Sequence, residues 1–527
     1  MPQEGRLCVK IGIRKQVGSK VNIIKIQISN DTDNGCKMNS VDKNKGYKTS
    51  AKGIALFGGM QIYKILLSVI RTKCSAIFLG PSGFGIYSLI TSTLTSIELV
   101  TNCGLGTSSV KDIAYAQNNM TEVSKVYFVL NRFVWITGLA ATLFCVFGAK
   151  YLSISAFGNS DYTIAFVFSA ISLFINQLIT GQGALLTGMR KYKSIVRLNI
   201  WSNTLGLIVT IVLYWLGGVK SIVPVIVSTG LLNLAFSFYY AKQIPLPKVV
   251  LSLRETWQKG KEMLNMGILI SLGGAVTSLA GYTTRIFISQ MSGVVMVGLF
   301  TASFSLVNTY LGMVVSAIDK DYYPRLCSIK SDLACFNKTI NQQIEMLVLL
   351  LSPIIVLFVI FSPMVIYAFY SEKFQATSGF LVLLALAMTF FVPAKTISMV
   401  FLAKGNSKRY FLNQFTFVVY TLLLNMIGFH YGELLGLGIS YIGAYLLYLV
   451  QTFFSCHYYY QFNFEKQIII KMCLYVALAV LAGLLSFYAT SLMRYTIGTA
   501  LVVATSLIAF ADLNSKLNII KYLRKKL

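Results

Sequence analysis

A chain of 527 residues that is 55% hydrophobic and only 12% charged lacks the polar exterior of a soluble domain, in which roughly a quarter of residues are charged. Its mean hydropathy of +0.67 and its repeated apolar stretches of about 20 residues, long enough to cross a hydrocarbon core of roughly 30 Å, describe an all-α polytopic membrane protein. The net charge of +28 would raise nucleic acid as a partner in a soluble chain, so its placement along the sequence has to be read first.

Residues 1–50 are polar, mixed in charge and rich in Asn and Gly, and read as a loosely ordered cytoplasmic leader. They have no apolar core or small-residue cleavage site of a secretory signal. Met38 precedes a short basic segment and the first span, a layout that makes residues 1–37 an expected upstream extension or part of the leader.

Fourteen spans are expected, at 54–79, 84–103, 124–148, 161–182, 195–216, 220–240, 264–288, 294–318, 343–370, 377–402, 410–428, 434–458, 469–490 and 496–512. Alternate connections differ sharply in charge. One set, which includes the C-terminal tail, carries 25 Lys and Arg; the other carries four, Lys150, Lys220, Lys373 and Arg494. The basic side is the cytoplasmic one, so both termini are expected there. The net charge is thereby explained by topology and by anionic membrane lipid, and nucleic acid drops out as a partner.

The connection after span six, 241–263, contains "LRETWQKGKEML", an amphipathic stretch suited to the membrane interface. It divides the chain into two pseudo-symmetric six-helix bundles, 51–240 and 264–458, with two additional helices and a basic tail in 459–527.

The nine cysteines are scattered, with no CxxC, and read as small membrane hydrophobes. His430 and His457 sit near span ends and do not suggest a histidine site. "GLGTSSVKDIA" (104–114) lacks the Lys-Ser/Thr ending of a phosphate loop, so no nucleotide or other cofactor is expected; Thr107 or Ser108 should cap the helix that follows. In "AIFLGPSGFGIYSL" (76–89), Gly80, Pro81 and Gly83 make a reversal on the poorly charged side, and Gly85 lets spans one and two pack closely. In "DKDYYPRL" (319–326), Pro324 allows a turn, Tyr322 and Tyr323 suit the interface, and Asp321 can bond Arg325. "CHYYYQFNF" adds to an interfacial aromatic belt.

Taken together, "LGPSGFGIYSLITS", "NCGLGTSSVKDIAYA", "LLTGMRKYKSI", "DKDYYPRL" and "FLAKGNSKRYF" resemble the bacterial O-antigen translocase family, the polysaccharide transporter branch of the multidrug/oligosaccharidyl-lipid/polysaccharide exporter superfamily. The resemblance covers roughly residues 50–460. It implies two helical bundles working by alternating access in the inner membrane. It also implies transfer of undecaprenyl-diphosphate-linked oligosaccharide from the cytoplasmic to the periplasmic leaflet, without enzymatic chemistry. Association with glycan polymerase and chain-length machinery belongs to the same expectation.

Ionisable groups within spans are costly unless they face a cavity, pair, or reach the interface. Those of this chain are mostly cationic, as a cavity for a diphosphate requires. The candidates for substrate contact are Lys64, Arg71 and Lys73 in span one, Arg132 in span three, Arg285 in span seven and Lys395 in span ten. Lys64 and Arg71 are seven apart and share a helix face. Arg71 and Lys73, just before the reversal, are expected to meet the diphosphate if it binds there; snorkelling to the interface is their alternative. Arg132 has a rival reading as a partner of Glu98 or Asp161. Pro393 should break the helix beside Lys395. Glu98 is the deepest carboxylate, a candidate for a structural ion pair or a coupling proton. Glu345 belongs to a helix N-terminus.

Other functions make different demands. Exporters of other lipid-linked precursors, of capsule, teichuronic or enterobacterial common antigen type, would share these features. A multidrug or cation exporter would favour acidic cavity groups. A membrane glycan polymerase or ligase would need a large outer loop with catalytic groups, and the longest here, 149–160, is about a dozen residues.

Overall fold

The computed structural model describes the backbone of residues 40–329 and 333–517. The expectations for residues 1–39, for the basic tail beyond Leu517 and for an Asp321–Arg325 bond lie outside the described residues. The chain divides into two units between Gly59 and Met60, and the helix packing and the site belong to the second, Met60–Leu527.

The described residues form helices α1 (Ser40–Thr101), α2 (Leu105–Tyr115), α3 (Met120–Phe157), α4 (Thr163–Gly188), α5 (Tyr192–Gly217), α6 (Ile222–Lys242) and α7 (Leu253–Leu306). After a π-helical turn at Val307–Leu311 come α8 (Gly312–Ser328), α9 (Leu333–Ile360), α10 (Ser362–Phe369), α11 (Ser378–Ala403), α12 (Ser407–Tyr460), α13 (Lys466–Tyr488) and α14 (Ser491–Leu517). Nine stretches among the described residues are long and apolar enough to cross a membrane.

Three helices are too long for one crossing. A 54-residue helix such as α7 or α12 would extend about 80 Å, against roughly 40–45 Å for a whole bilayer. Each is bent back on itself where its backbone leaves helical geometry: α1 at Gly80 (φ 63°, ψ −176°), α7 at Gly293 (φ 81°, ψ 174°) and α12 at Gly432–Glu433. The first two conformations belong to a region open essentially to glycine alone. The reversal expected at "GPSG" is therefore present as the kink of α1.

Two expected breaks are not. α11 runs through Pro393 and α8 through Pro324. A proline removes one donor and crowds the preceding turn, but neighbouring helices in a membrane make good that loss. Pro393 itself is buried against them. Tyr322 is not an interfacial tyrosine: it is fully buried and donates its hydroxyl to the Thr396 carbonyl, 3.3 Å away, on α11. Nor does a hydroxyl cap α2. Its N-cap is Gly104 in the left-handed conformation (φ 64°), and Ser108 bonds back to the Gly104 carbonyl. α7 starts with a full capping box, Ser252 and Glu255, whose hydrogen bonds hold the Glu255 carboxyl below the ordinary carboxylate range.

One apolar core runs through the membrane region, from Ala76 and Leu89 on α1 through Ile288 and Phe300 on α7 to Leu384 on α11 and Tyr441 on α12. Phe147, Leu216 and Leu507 point outward, as lipid-facing residues do. The basic connections, among them 183–194 and 241–263, mark the basic end of the helices.

The last two helices are fastened at both ends. Lys471 on α13 lies 2.8 Å from Glu345 on α9 and 2.7 Å from Asp512 on α14. Glu345 thus serves an interhelical triad three turns inside α9 rather than the start of that helix. At the other end Arg494 donates to the Val359 and Ile360 carbonyls and to Ser362 Oγ, covering the break between α9 and α10. Replacing Lys471 by Met leaves Glu345, only 8% exposed, and Asp512 without their shared cation. The expected cost is about 1–3 kcal/mol, read as a lower thermal midpoint of the solubilised full chain; an unchanged midpoint would show that the triad adds nothing.

Candidate functional site

The second leg of α1 (81–101) lies against α7 along its whole length, and small side chains make this possible. At the end distal to the basic one, Gly85 and Gly298 meet backbone to backbone. A Cβ on Gly85 would overlap the Val294 carbonyl, and one on Gly298 would overlap that of Pro81. Gly85 therefore serves packing against the second leg of α7, not against the first leg of its own helix. At the basic end the same device recurs: a Cβ on Gly104 would strike the Gly267 carbonyl, and one on Gly267 that of Cys103. Between these contacts the seam is polar. Ser88 Oγ and Thr301 Oγ1 are 2.7 Å apart, and Ser96 Oγ and Ser278 Oγ 3.3 Å.

Arg285 enters this seam. Its Nε donates to Ser88 Oγ at 3.0 Å, one terminal nitrogen donates to the Gly281 carbonyl at 2.9 Å, and the guanidinium lies 5.5 Å and 5.8 Å from the rings of Phe300 and Phe304. Eight residues before the Gly293 reversal, it sits about 12 Å along the helix from that end. Among the described residues it forms no ion pair. A cation held by a hydroxyl, a carbonyl and two ring faces keeps its full charge for a ligand.

The other candidates engage different elements. Arg71 turns into the space beside α5, one terminal nitrogen 3.4 Å from the Asn203 carbonyl, where Gly206 makes room for it. Its Nε is buried and has no hydrogen-bond partner among the described residues. Lys64, seven residues earlier, is half-buried on the same helix. Lys73 points elsewhere: it donates to the Tyr367 carbonyl of α10 at 2.8 Å and lies 5.1 Å from that tyrosine's ring. The two residues before the reversal thus diverge. Lys395 is half-buried on the continuous α11.

Arg132 belongs to a joint rather than to the seam. It donates to Thr256 Oγ1 at 2.7 Å and stacks on Phe128, tying α3 to the amphipathic start of α7, where Gly260 closes onto Phe133. Neither Glu98 nor Asp161 is its hydrogen-bond partner. Glu98, half-buried, accepts from Asn176 Nδ2 of α4 at 3.0 Å. At the basic end, burial raises the Asp112 carboxyl, with Lys111 opposing and Glu262 adding to the rise.

The seam's small residues are absent from the sequence candidates. Gly85, Ser88, Ser92 and Ser96 recur at spacings of three and four, which places them on one helical face, and that was the available signal.

Long helices folded back at glycine kinks, with one polar seam closed at both ends, make a fold shared with solved structures of the multidrug/oligosaccharidyl-lipid/polysaccharide exporter superfamily. Solved structures of this kind include the lipid II flippase MurJ in an inward closed conformation, with a TM-score of 0.69 and 17% identity over 88% of this chain and 99% of that one. An inward-facing multidrug resistance MATE family transporter follows, with a TM-score of 0.62 and 16% identity over 76% of this chain and 94% of that one. At these identities the likeness is one of fold. The chain belongs to the polysaccharide biosynthesis protein family, whose model matches residues 76–379, a range that holds every seam residue from Gly85 to Thr301. A curated relative from Shigella flexneri, named "Putative O-antigen transporter", is 26% identical over 324 residues, covering 60% of this chain and 75% of that one.

Proposed function

We propose that this protein flips an undecaprenyl-diphosphate-linked oligosaccharide, an O-antigen repeat unit, across the bacterial inner membrane by alternating access at the α1–α7 seam. The observation that carries the proposal is Arg285: a cation without an ion-pair partner among the described residues, inside a seam that is closed at both ends. A diphosphate is the ligand such a guanidinium fits, and a multidrug cation is repelled by it. The names of the Shigella relative and of MurJ support the same class of cargo.

In this reading the chain crosses the membrane fourteen times, with each apolar stretch longer than 45 residues, and α1, taken as two legs; the nine long apolar stretches among the described residues support it. The 25-to-4 distribution of Lys and Arg turns the basic end, and both chain ends, to the cytoplasm. Residues 51–240 and 264–458 are the two moving bundles, with 241–263 as their cytoplasmic linker. In this reading Gly104 and Gly267 part first. The head group enters from the cytoplasm while the polyprenyl tail stays in lipid. The diphosphate replaces Ser88 and Gly281 as the acceptor of Arg285. Arg71, through its unpartnered Nε, is the second anion contact, and Lys64 and Lys395 add charge to the cavity. Lys73 and Arg132 fasten elements together. Closure at Gly104–Gly267 and parting of Gly85 from Gly298 then release the head group outside. No step makes or breaks a covalent bond.

Expression in a strain lacking its own O-antigen flippase tests this. Restored surface glycan, with loss of the accumulated lipid-linked intermediate, is the expected result. Neither change, with the protein present in the membrane, would overturn the assignment. Capsule, teichuronic or common-antigen precursors share the diphosphate, and the strain that is restored identifies the glycan.

A further inference from the structure

At the basic end, outside the seam, α2 and the start of α3 enclose a cleft of about 570 Å³, within the range of small-molecule pockets. Its apolar lining is Ala116, Val126 and the exposed ring of Tyr115. Tyr115 is 94% exposed, an unusual position for a large ring in a helix that buries Leu105 and Ile113 completely. The rim is polar: Lys111, Asp112, Asn118 and Glu122.

The charges of this rim decide what it can hold. Glu122 is engaged by Lys125 at 2.6 Å and by Lys259 of α7 at 3.6 Å, and Asp112 has Lys111 and Glu262 as charged neighbours, so the three lysines are balanced by three carboxylates. A phosphate finds no surplus of positive charge here, unlike at Arg285. An apolar acyl chain would have to desolvate carboxylates and amides. A sugar satisfies both parts of the surface. Its C–H face lies on an aromatic ring, and its hydroxyls donate to a carboxylate and exchange hydrogen bonds with an amide.

We propose that the α2–α3 cleft is a sugar-binding site that receives the glycan of the lipid-linked substrate, with Tyr115 as the stacking platform and Asp112 and Asn118 as hydroxyl contacts. The site rests on the flippase reading above and adds to it a division of labour. Arg285 takes the diphosphate, which every such lipid has, and the cleft takes the sugar, which differs between lipids. The Lys259–Glu122 contact joins the cleft wall to α7, the helix that closes on Gly104, so that an occupied cleft lies beside the moving seam.

The test uses the full chain in proteoliposomes with two probes, undecaprenyl diphosphate carrying an oligosaccharide and sugar-free undecaprenyl diphosphate. Tyr115→Ala and Asn118→Ala are compared with wild type, both at exposed positions where truncation spares the fold. The expected result is a half-saturating concentration for the glycan-bearing lipid raised at least about fivefold, the size of a truncated aromatic contact. The maximal rate and the handling of the sugar-free lipid stay as in wild type. Equal effects on both lipids, or none on either, would overturn the sugar site while leaving the flippase reading intact. Failure of wild type to move either lipid would overturn the flippase reading itself.

Discussion

Arg285→Ala is expected to abolish glycan export from a complemented strain while leaving protein abundance and monodispersity unchanged. In the closed seam the guanidinium is held by Ser88 Oγ, the Gly281 carbonyl and the faces of Phe300 and Phe304, so its removal breaks no ion pair among the described residues. What is lost is the charge-assisted, two-pronged contact to the diphosphate. Truncating one partner of a desolvated, hydrogen-bonded charge pair costs about 2–5 kcal/mol, or roughly 30-fold to several-thousand-fold in affinity. Arg285→Lys keeps the charge and loses the planar fork, so transport should fall to an intermediate level. Ser88→Ala removes a holding contact only and should leave most export in place. Normal export by Arg285→Ala, at normal abundance, would remove the anion site from the account.

The second large effect belongs to the glycines. Gly267→Val places side-chain atoms where the Cys103 carbonyl and Gly104 now lie, and Gly298→Val does the same at Pro81 and Gly85. Overpacking costs about 1–3 kcal/mol, enough to lower the population of the closed contact roughly 5- to 150-fold at the affected end. Both variants should lose transport, but in opposite conformations. Cys103, at the basic end, reports the difference in a chain whose other cysteines are replaced by serine. Gly267→Val should make it react with a polar maleimide faster than the parent does. Gly298→Val, which favours parting at the other end, should leave it as slow as the parent or slower. Equal reactivity in all three would mean that the two glycine contacts do not act as alternating closures.

The fold was legible where the signal is local. Apolar runs and the glycine at 80 each depend on neighbours in sequence, and the helices follow them; the glycine at 293, between two expected spans, was not singled out. The site was legible only in its charges. Arg285 is conspicuous as a charge in an apolar run, but its partner Ser88 lies 197 residues away, and Ser88 in turn meets Thr301 across 213. Nothing in either stretch specifies which helix it will face. The same gap explains Arg132, whose partner Thr256 is 124 residues off, and the divergence of Arg71 and Lys73, which a two-residue spacing on a helix does predict once their neighbours are known. Pro393 and Pro324 misled for a related reason. The cost of a proline is local, whereas the packing that compensates it comes from other helices.

Purified protein in liposomes that carry a fluorescent undecaprenyl-diphosphate-linked oligosaccharide in both leaflets gives the most direct measurement of the central claim. With a membrane-impermeant quencher or sugar-modifying enzyme outside, the accessible fraction should rise from about half towards completeness when wild-type protein is present, and stay near half with Arg285→Ala. Accessibility that stays near half with wild type, or that rises equally with Arg285→Ala, would contradict the account.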